Sequence, residues 1–394
     1  MKKIVQINVV CNGSTGRIMC DIAKTANNKG FKTYCFYGRG IPKGNFHCIK
    51  IGNKFSVLFH VFLARLGFNG RGSYFATKKM VRQLKKIQPD VIQLHNIHGY
   101  YINLKVLFKY LRNDYNGKIV WTLHDCWAFT GHCSHFTVAK CNKWKKQCGK
   151  CPQLNVYPKT ILDTSKYEYK FKKKYFSGLK NVTIVTPSKW LSDLVKKSFL
   201  KDYDIQVIYN GIDETIFHKH KDTNFYNKYP DLKNKKIILG VASNWENNKG
   251  LSYFLQLNNI ISDEYKIVLI GLTKDLISKL PEKILGVEKT DSASELVEFY
   301  SVSHVLYNPS LEETFSLVTA EAQACQLPVI VFDSSAPKEL VTTNDYVVRN
   351  VLTKDIVKIT EEVYQKINKI SSKEKAECQF TLEQMTNKYI KLYD

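Results

Sequence analysis

Two carboxylates, Glu313 and Glu321, stand eight residues apart in the stretch PSLEETFSLVTAEAQACQLPVIVFD, residues 309–333. The Pro309-Ser310 turn leads into a pattern that predicts a helix from Thr314 to about Gln326. The first turn of such a helix, Thr314, Phe315, Ser316 and Leu317, offers unpaired backbone N–H groups and the positive end of the helix dipole. That is an anion site suited to a diphosphate, with the Thr314 and Ser316 hydroxyls as further donors. Carboxylates accept hydrogen bonds from sugar hydroxyls. One carboxylate on each side of a phosphate cradle therefore suits a nucleotide sugar: ribose, diphosphate, hexose. An acidic first turn placed only for the dipole would account for Glu312 and Glu313, but not for Glu321 or the Pro-Ser turn.

Other candidate residues follow apolar runs. Gly13, Ser14, Thr15 and Gly16 read as a glycine-bearing loop or a simple tight turn after the first run, short of a full G-x-G-x-x-G. His95, Asn96 and His98 close one run, and His124 and Asp125 close another. A lone histidine at a strand end is ordinarily a satisfied core residue, and His95 with His98 lacks an evident third metal ligand. No Asp-x-Asp follows a strand, so chemistry without Mg²⁺ is expected.

Cys133, Cys141, Cys148 and Cys151 follow a C-x7-C-x6-C-x2-C spacing, with His132 and His135 nearby. The set is adequate for a tetrahedral structural zinc, and equally for four reduced thiols in a basic loop. Little apolar content is evident in this insert at 131–152, which favours a staple. Its Lys143, Lys145, Lys146 and Lys150 are an alternative contact for a lipid diphosphate.

These residues need a scaffold that presents strand ends. Strand-like runs at 3–10, 32–37, 90–97, 118–125 and 182–188 in the first half, and 205–211, 235–243, 265–271, 304–310 and 328–333 in the second, alternate with helical patterns. That alternation predicts α/β architecture with two doubly wound parallel sheets, whose ligands lie at the carboxyl ends of strands. The 394-residue chain carries a net charge of +24. Residues 1–200 hold 36 Lys and Arg against 7 Asp and Glu, whereas residues 201–394 hold 23 against 28. A basic first half expects an anionic partner such as a membrane surface, a lipid diphosphate or a nucleic acid. The apolar run at 56–68 is too short and polar to span a bilayer, and MKKIVQINVV reads as a first strand and not a signal peptide. A cytoplasmic protein is expected, with reduced cysteines. The stretches at 166–176 and 55–66 are basic, aromatic helix candidates that either pack inward or lie on a membrane.

Taken in order, the motifs resemble glycosyltransferase family 4, retaining enzymes of the GT-B fold. The carriers are NGSTGRI (12–18), HNIHGYYINL (95–104), TLHDCWAFTGHCSHF (122–136), IYNGID (208–213), VASNWENNKG (241–250), the Glu313/Glu321 pair and FTLEQMTNKYIKLYD (380–394). The first-half pieces are similar to those of capsule and exopolysaccharide enzymes. The resemblance implies two Rossmann-like domains facing across a cleft. An acceptor-side domain would span 1–200, a nucleotide-sugar domain 201–375, and a helix at 376–394 would return to the first domain. It implies that Glu313 and His124 act at the donor sugar, that Glu321 binds the ribose, and that Lys249 neutralises the departing diphosphate. Gly13–Gly16, Ser243, Asn244, Gly250 and the amides of Thr314–Leu317 would complete the donor site. His95, Asn96, His98 and Asp125 would line the acceptor side. Asn244 stands where the family often has an arginine. The implied activity is transfer of a hexose from a nucleotide diphosphate sugar to a lipid-linked glycan at the inner face of the cell membrane, with no catalytic cofactor. A sugar-nucleotide epimerase of the same fold and a zinc-containing nucleic-acid-binding protein are the alternatives. The first would lack the Glu pair, and no recognition helix or RNA-binding sheet motif favours the second.

Overall fold

The structure, a computed structural model, describes residues 1–42, 47–220, 225–245, 247–342, 345–349, 351–352, 354–370 and 378–394. The chain divides into two compact units, Met1–Tyr209 with Glu383–Asp394, and Asn210–Leu382. The first therefore extends past the expected limit at residue 200. The expected boundary at 375/376 lies outside the described residues.

The first unit holds seven strands: β1 (Lys3–Val10), β2 (Lys32–Arg39), β3 (Cys48–Lys50), β4 (Val91–Leu94), β5 (Lys118–Thr122), β6 (Val182–Thr186) and β7 (Asp204–Val207). They form one sheet in the order β3-β2-β1-β4-β5-β6-β7, every pair parallel. Helices cover both faces of such a sheet, so its strands read as continuous apolar runs. Ile4, Val5 and Ile7 are fully buried, but so are Gln6 and Asn8, polar residues in the central strand. The second unit holds β8 (Lys236–Val241), β9 (Tyr265–Ile270), β10 (Ile284–Val287), β11 (Val305–Asn308), β12 (Val329–Phe332) and β13 (Tyr346–Val348). Their order is β10-β9-β8-β11-β12-β13, again all parallel. In each sheet the strand order reverses at one central pair, β1/β4 and β8/β11, and that reversal opens a crevice at the strands' carboxyl ends.

Several expectations change. The run at 205–211 supplies β7, an edge strand of the first sheet and not the opening of the second. Strands β3, β10 and β13 lie at or near sheet edges and have only three or four residues, too few to show a period. The helix expected from Thr314 to Gln326 is shorter, Leu317–Ala324, because Ser316 takes φ 90° and breaks the helical path. The helix Ser165–Phe176 belongs to the core: Glu168, Tyr169, Phe171, Lys172 and Phe176 are all buried. No described helix is long and apolar enough to cross a membrane.

Candidate active site

In the second unit the reversal point gathers the expected donor residues. β8 runs into Ser243 and Asn244, both exposed, and then into the short turn Asn247–Lys249. Gly250 follows at φ 78°, where a Cβ would meet the Pro309 carbonyl oxygen at 2.6 Å. Only glycine lets these two loops come so close. Leu311 N–H donates to the Asn248 carbonyl at 2.8 Å, which pins the loop after β11 to the loop after β8. Across that junction Lys249 Nζ donates to Glu313 Oε1 at 2.8 Å, with side chains 28% and 11% exposed. Burial alone would raise the Glu313 carboxyl. The Lys249 charge, with hydrogen bonds from Lys249, Ser310 and Ser316, outweighs it and holds the carboxyl below its ordinary value. Glu313 is therefore an oriented, ionised acceptor.

The segment Glu313–Ser316 is held by its own network. Ser335 Oγ accepts from the Glu313 N–H at 2.9 Å. Asn308 Nδ2 donates to Ser316 Oγ at 2.9 Å and to Thr319 Oγ1 at 3.0 Å. The Ser316 side chain makes no cap to its helix. The first-turn N–H groups are thus those of Leu317, Val318 and Thr319, three residues later than expected, and the amides of Thr314 and Phe315 precede the helix. Phe315 is buried edge-on against Phe380, so its ring anchors the loop. Glu321 is buried within the helix and accepts from Tyr300 Oη at 3.2 Å.

The first unit presents a second group at the β1/β4/β5 strand ends. The helix Gly13–Asn28 starts directly after β1, with Gly13 at φ 67° and Gly13 and Ser14 exposed. A Cβ on Gly16 would meet the Cys11 carbonyl carbon at 2.6 Å, so this glycine lets the helix sit close against the strand end. Asn8 Nδ2 reaches Thr15 Oγ1 at 3.4 Å while its Oδ1 accepts from the Asn96 N–H at 3.3 Å, which ties β1, the helix and the β4 loop together.

His95 is not at the surface. It is 1% exposed, with Nε2 2.9 Å from Gln6 Oε1 and Nδ1 3.0 Å from His124 Nε2. Expected to line the acceptor side, it instead lies beneath His124, with the two rings stacked at 5.3 Å. Hydrogen-bond bookkeeping fixes the tautomers. Gln6 Nε2 donates to the Met19 carbonyl at 3.0 Å, so Gln6 Oε1 must be the acceptor facing His95. His95 then carries its proton on Nε2, and its bare Nδ1 accepts from His124 Nε2–H. Burial holds His124 down at about 4, so neutral His124 keeps Nδ1 as an acceptor.

His98 and Asp125 form a dyad, Nε2 to Oδ2 at 2.8 Å. Tyr157 Oη lies 3.2 Å from His98 Nδ1, and Asp125 Oδ1 accepts from the Trp127 N–H at 2.8 Å. Burial pushes the Asp125 carboxyl up. The His98 charge and hydrogen bond, the His135 charge and the Trp127 amide reverse that and bring it to about 2. Beneath this loop Lys172, fully buried, donates to the Trp127 carbonyl at 2.7 Å and lies 3.4 Å from that residue's ring centroid. Burial lowers its ammonium to about 7 against the opposing pull of Glu168.

Cys133, Cys141, Cys148 and Cys151 line one small cavity together with His132 and Trp144. Burial, reinforced by the neighbouring thiols, raises Cys133, and burial takes Cys148 up to about 11. The sulfurs are not drawn into a coordination shell: among the described residues no three His, Cys, Asp or Glu side chains form a group that could hold a metal ion. The insert is anchored instead through the first unit's core: Trp144 packs against Phe136 and Phe129 at 4.7 and 5.3 Å, and all three belong to that core.

Sequence reasoning missed Gln6, Tyr157, Lys172, Asn308 and Thr319. Gln6 and Asn308 carried a signal, a polar side chain inside an apolar strand run. Lys172 was one basic residue among many.

Known proteins resemble the chain throughout. A family model described as Glycosyltransferase Family 4 matches residues 15–215, and one described as Glycosyl transferases group 1 matches residues 235–368. The putative colanic acid biosynthesis glycosyl transferase WcaC of Escherichia coli K12 is 29% identical over 225 residues. That match covers 53% of this chain and 54% of WcaC, so the chain spans about half the length of that relative. The O-antigen chain mannosyltransferase RfbU of Salmonella typhimurium is 24% identical, over 72% of this chain and 84% of its own. Among solved structures, Anabaena HepE in complex with UDP and glucose superimposes with a TM-score of 0.64 at 14% identity, covering 99% of each chain. At that identity the likeness speaks for the fold alone.

Proposed function

We propose that this chain, which belongs to glycosyltransferase family 4, is a retaining hexosyltransferase that moves a hexose from a nucleotide diphosphate sugar to a lipid-linked glycan in polysaccharide assembly. The observation that carries the reading is the Lys249–Glu313 pair at 2.8 Å, set at the strand-order reversal of the second sheet beside the start of the helix Leu317–Ala324. One cation and a helix N-terminus suit a diphosphate, and a carboxylate fixed beside them suits sugar hydroxyls. The solved complexes of HepE with UDP and glucose support a uridine nucleotide as the first donor to try.

In this reading Lys249 and the first-turn amides take up the charge that grows on the leaving diphosphate, which is the main electrostatic task and requires no metal. Glu313 orients the hexose, and Glu321 takes the ribose hydroxyls. His124 accepts a sugar hydroxyl through Nδ1, and the His98–Asp125 dyad with Asn96 receives the acceptor. Gly13–Gly16 lets the backbone approach. Retention follows front-face substitution. The bond from the anomeric carbon to the phosphate oxygen breaks as the acceptor oxygen bonds on the same face. The acceptor's proton passes to the phosphate, which departs as nucleoside diphosphate. The basic first unit would lie against an anionic membrane at the inner face of the cell. For the cysteine lobe the reading includes a structural zinc. Its support is the four cysteines that line one cavity; a purified sample without stoichiometric zinc removes it.

The deciding experiment is thermal unfolding with added ligand. Stabilisation by UDP or GDP, and not by oligonucleotides, supports the reading; the reverse outcome overturns it.

A further inference from the structure

The helix Lys54–Arg65 is built inside out. A surface helix normally turns its apolar stripe toward the core. Here Phe55, Leu58, Phe59 and Phe62, at i, i+3, i+4 and i+7, are 81%, 65%, 59% and 59% exposed. The side facing the protein carries His60 and Ala64, and Ser56 also bonds inward. The orientation is fixed. Asn53 caps the Ser56 N–H at 2.9 Å, and Ser73 Oγ meets both Ser56 Oγ at 3.1 Å and His60 Nδ1 at 3.0 Å. The Phe stripe cannot roll under without breaking these bonds.

Neighbouring elements extend the patch. Ser73, the residue bonded to Ser56 and His60, leads into Tyr74 and Phe75, and the Phe75 ring is 84% exposed. At the other end, the Ile161 N–H donates to the Arg65 carbonyl at 2.7 Å, which sets the exposed Ile161 and Leu162 beside the helix terminus. Three segments with exposed aliphatic and aromatic side chains thus adjoin one another in the first unit.

Charge decides what covers it. From Asp21 to Asp90 the chain runs through 68 residues with fourteen Lys and Arg and no Asp or Glu. Lys54 and Arg65 bracket the stripe, and Lys78, Lys79 and Arg82 on the following helix are exposed. A second copy of this chain would set like charge against like. A twelve-residue helix is also far too short to cross a bilayer. A short helix that turns an apolar face outward among basic side chains is the pattern of an element lying in a membrane interface, with rings among the acyl chains and ammonium groups at anionic headgroups.

We propose that the helix Lys54–Arg65 seats Phe55, Leu58, Phe59 and Phe62 in the surface of an anionic lipid bilayer. This names the face that holds the enzyme beside a lipid-linked acceptor, and it rests on the functional reading only for that purpose. The test is flotation of the full chain with vesicles of 30% phosphatidylglycerol in phosphatidylcholine, against pure phosphatidylcholine. The wild type floats with the first at least tenfold better than with the second. The combined change Phe55→Gln, Phe59→Gln and Phe62→Gln lowers that partition at least tenfold, with an unchanged Tm because the rings touch little protein. Lys78→Glu with Lys79→Glu lowers it as well, and high salt lowers it for the wild type. Equal flotation of wild type and triple variant overturns the proposal. So does a wild type that stays unbound, or one that elutes as a dimer which the triple variant dissociates. Nucleotide binding, measured on the same samples without vesicles, tells this failure from failure of the enzymatic reading.

Discussion

Removal of the Lys249 ammonium separates two roles that the ion pair combines. In the ligand-free protein Lys249 offsets the burial of Glu313; with donor bound, the same cation would face the diphosphate. Lys249→Met leaves a mostly buried carboxylate with only Ser310 and Ser316 as named side-chain donors. Breaking a buried pair costs about 3–5 kcal/mol, but Lys249 is partly exposed and those hydroxyls remain, so about 1–3 kcal/mol is expected. For a unit of this size that lowers Tm by about 3–10 °C. Activity should fall about 10²–10³-fold, corresponding to about 3–4 kcal/mol of lost charge stabilisation in the transition state. Adding Glu313→Gln removes the stranded charge. The double variant should recover most of the lost Tm and none of the lost turnover. Differential scanning fluorimetry and nucleotide release from a donor sugar read the two effects separately. Recovery of activity in the double variant, or near-native turnover in Lys249→Met, would refute the assignment.

Three further outcomes follow from the geometry. Gln6→Leu removes the acceptor that orients His95, freeing His124 to take the other tautomer; kcat should fall about tenfold or more with little change in donor KM, measured by initial rates. Burial holds His60 and His124 at about 4 against an ordinary 6.5, and their unfolded forms bind protons first. Stability is thus full above pH 6.5 and falls as pH drops toward 4, by up to about 3 kcal/mol per histidine; urea unfolding at pH 7.5 and 5 measures it, and a flat profile contradicts the buried neutral rings. Gly16→Val forces a Cβ against the Cys11 carbonyl carbon and should cost on the order of 2 kcal/mol or more, seen as a lower urea midpoint.

The sheets were legible because strands buried on both faces announce themselves as apolar runs, as KIVQINVV does for β1. Edge strands such as Tyr346–Val348 are too short to announce anything. The loop carrying Glu313 was legible from its carboxylates and its Pro-Ser turn. The true helix start was not, because nothing in TFSL signals that Ser316 adopts a left-handed backbone. His95 and His124 looked alike in sequence; their depths differ because Gln6, nearly ninety residues away, supplies a partner for one of them. The opposite fates of two basic aromatic helices show the same limit. Ser165–Phe176 turns Lys172 into the core, where the Trp127 carbonyl and ring receive it, while Lys54–Arg65 leaves its phenylalanines outside. Composition alone does not tell these apart, since the difference lies in what each helix meets.

The helix Leu382–Tyr393 has a consequence for how the molecule is made. Tyr393 Oη bonds to Gln93 Oε1 and Thr122 Oγ1 donates to Tyr389 Oη at 3.2 Å, so this segment braces β4 and β5, the strands that carry His95 and His124 at their ends. Residues 383–394 leave the ribosome only after the whole of Asn210–Leu382. The second unit is one uninterrupted stretch of chain. The histidine-bearing unit, by contrast, receives this brace from a dozen residues translated long after the strands they support.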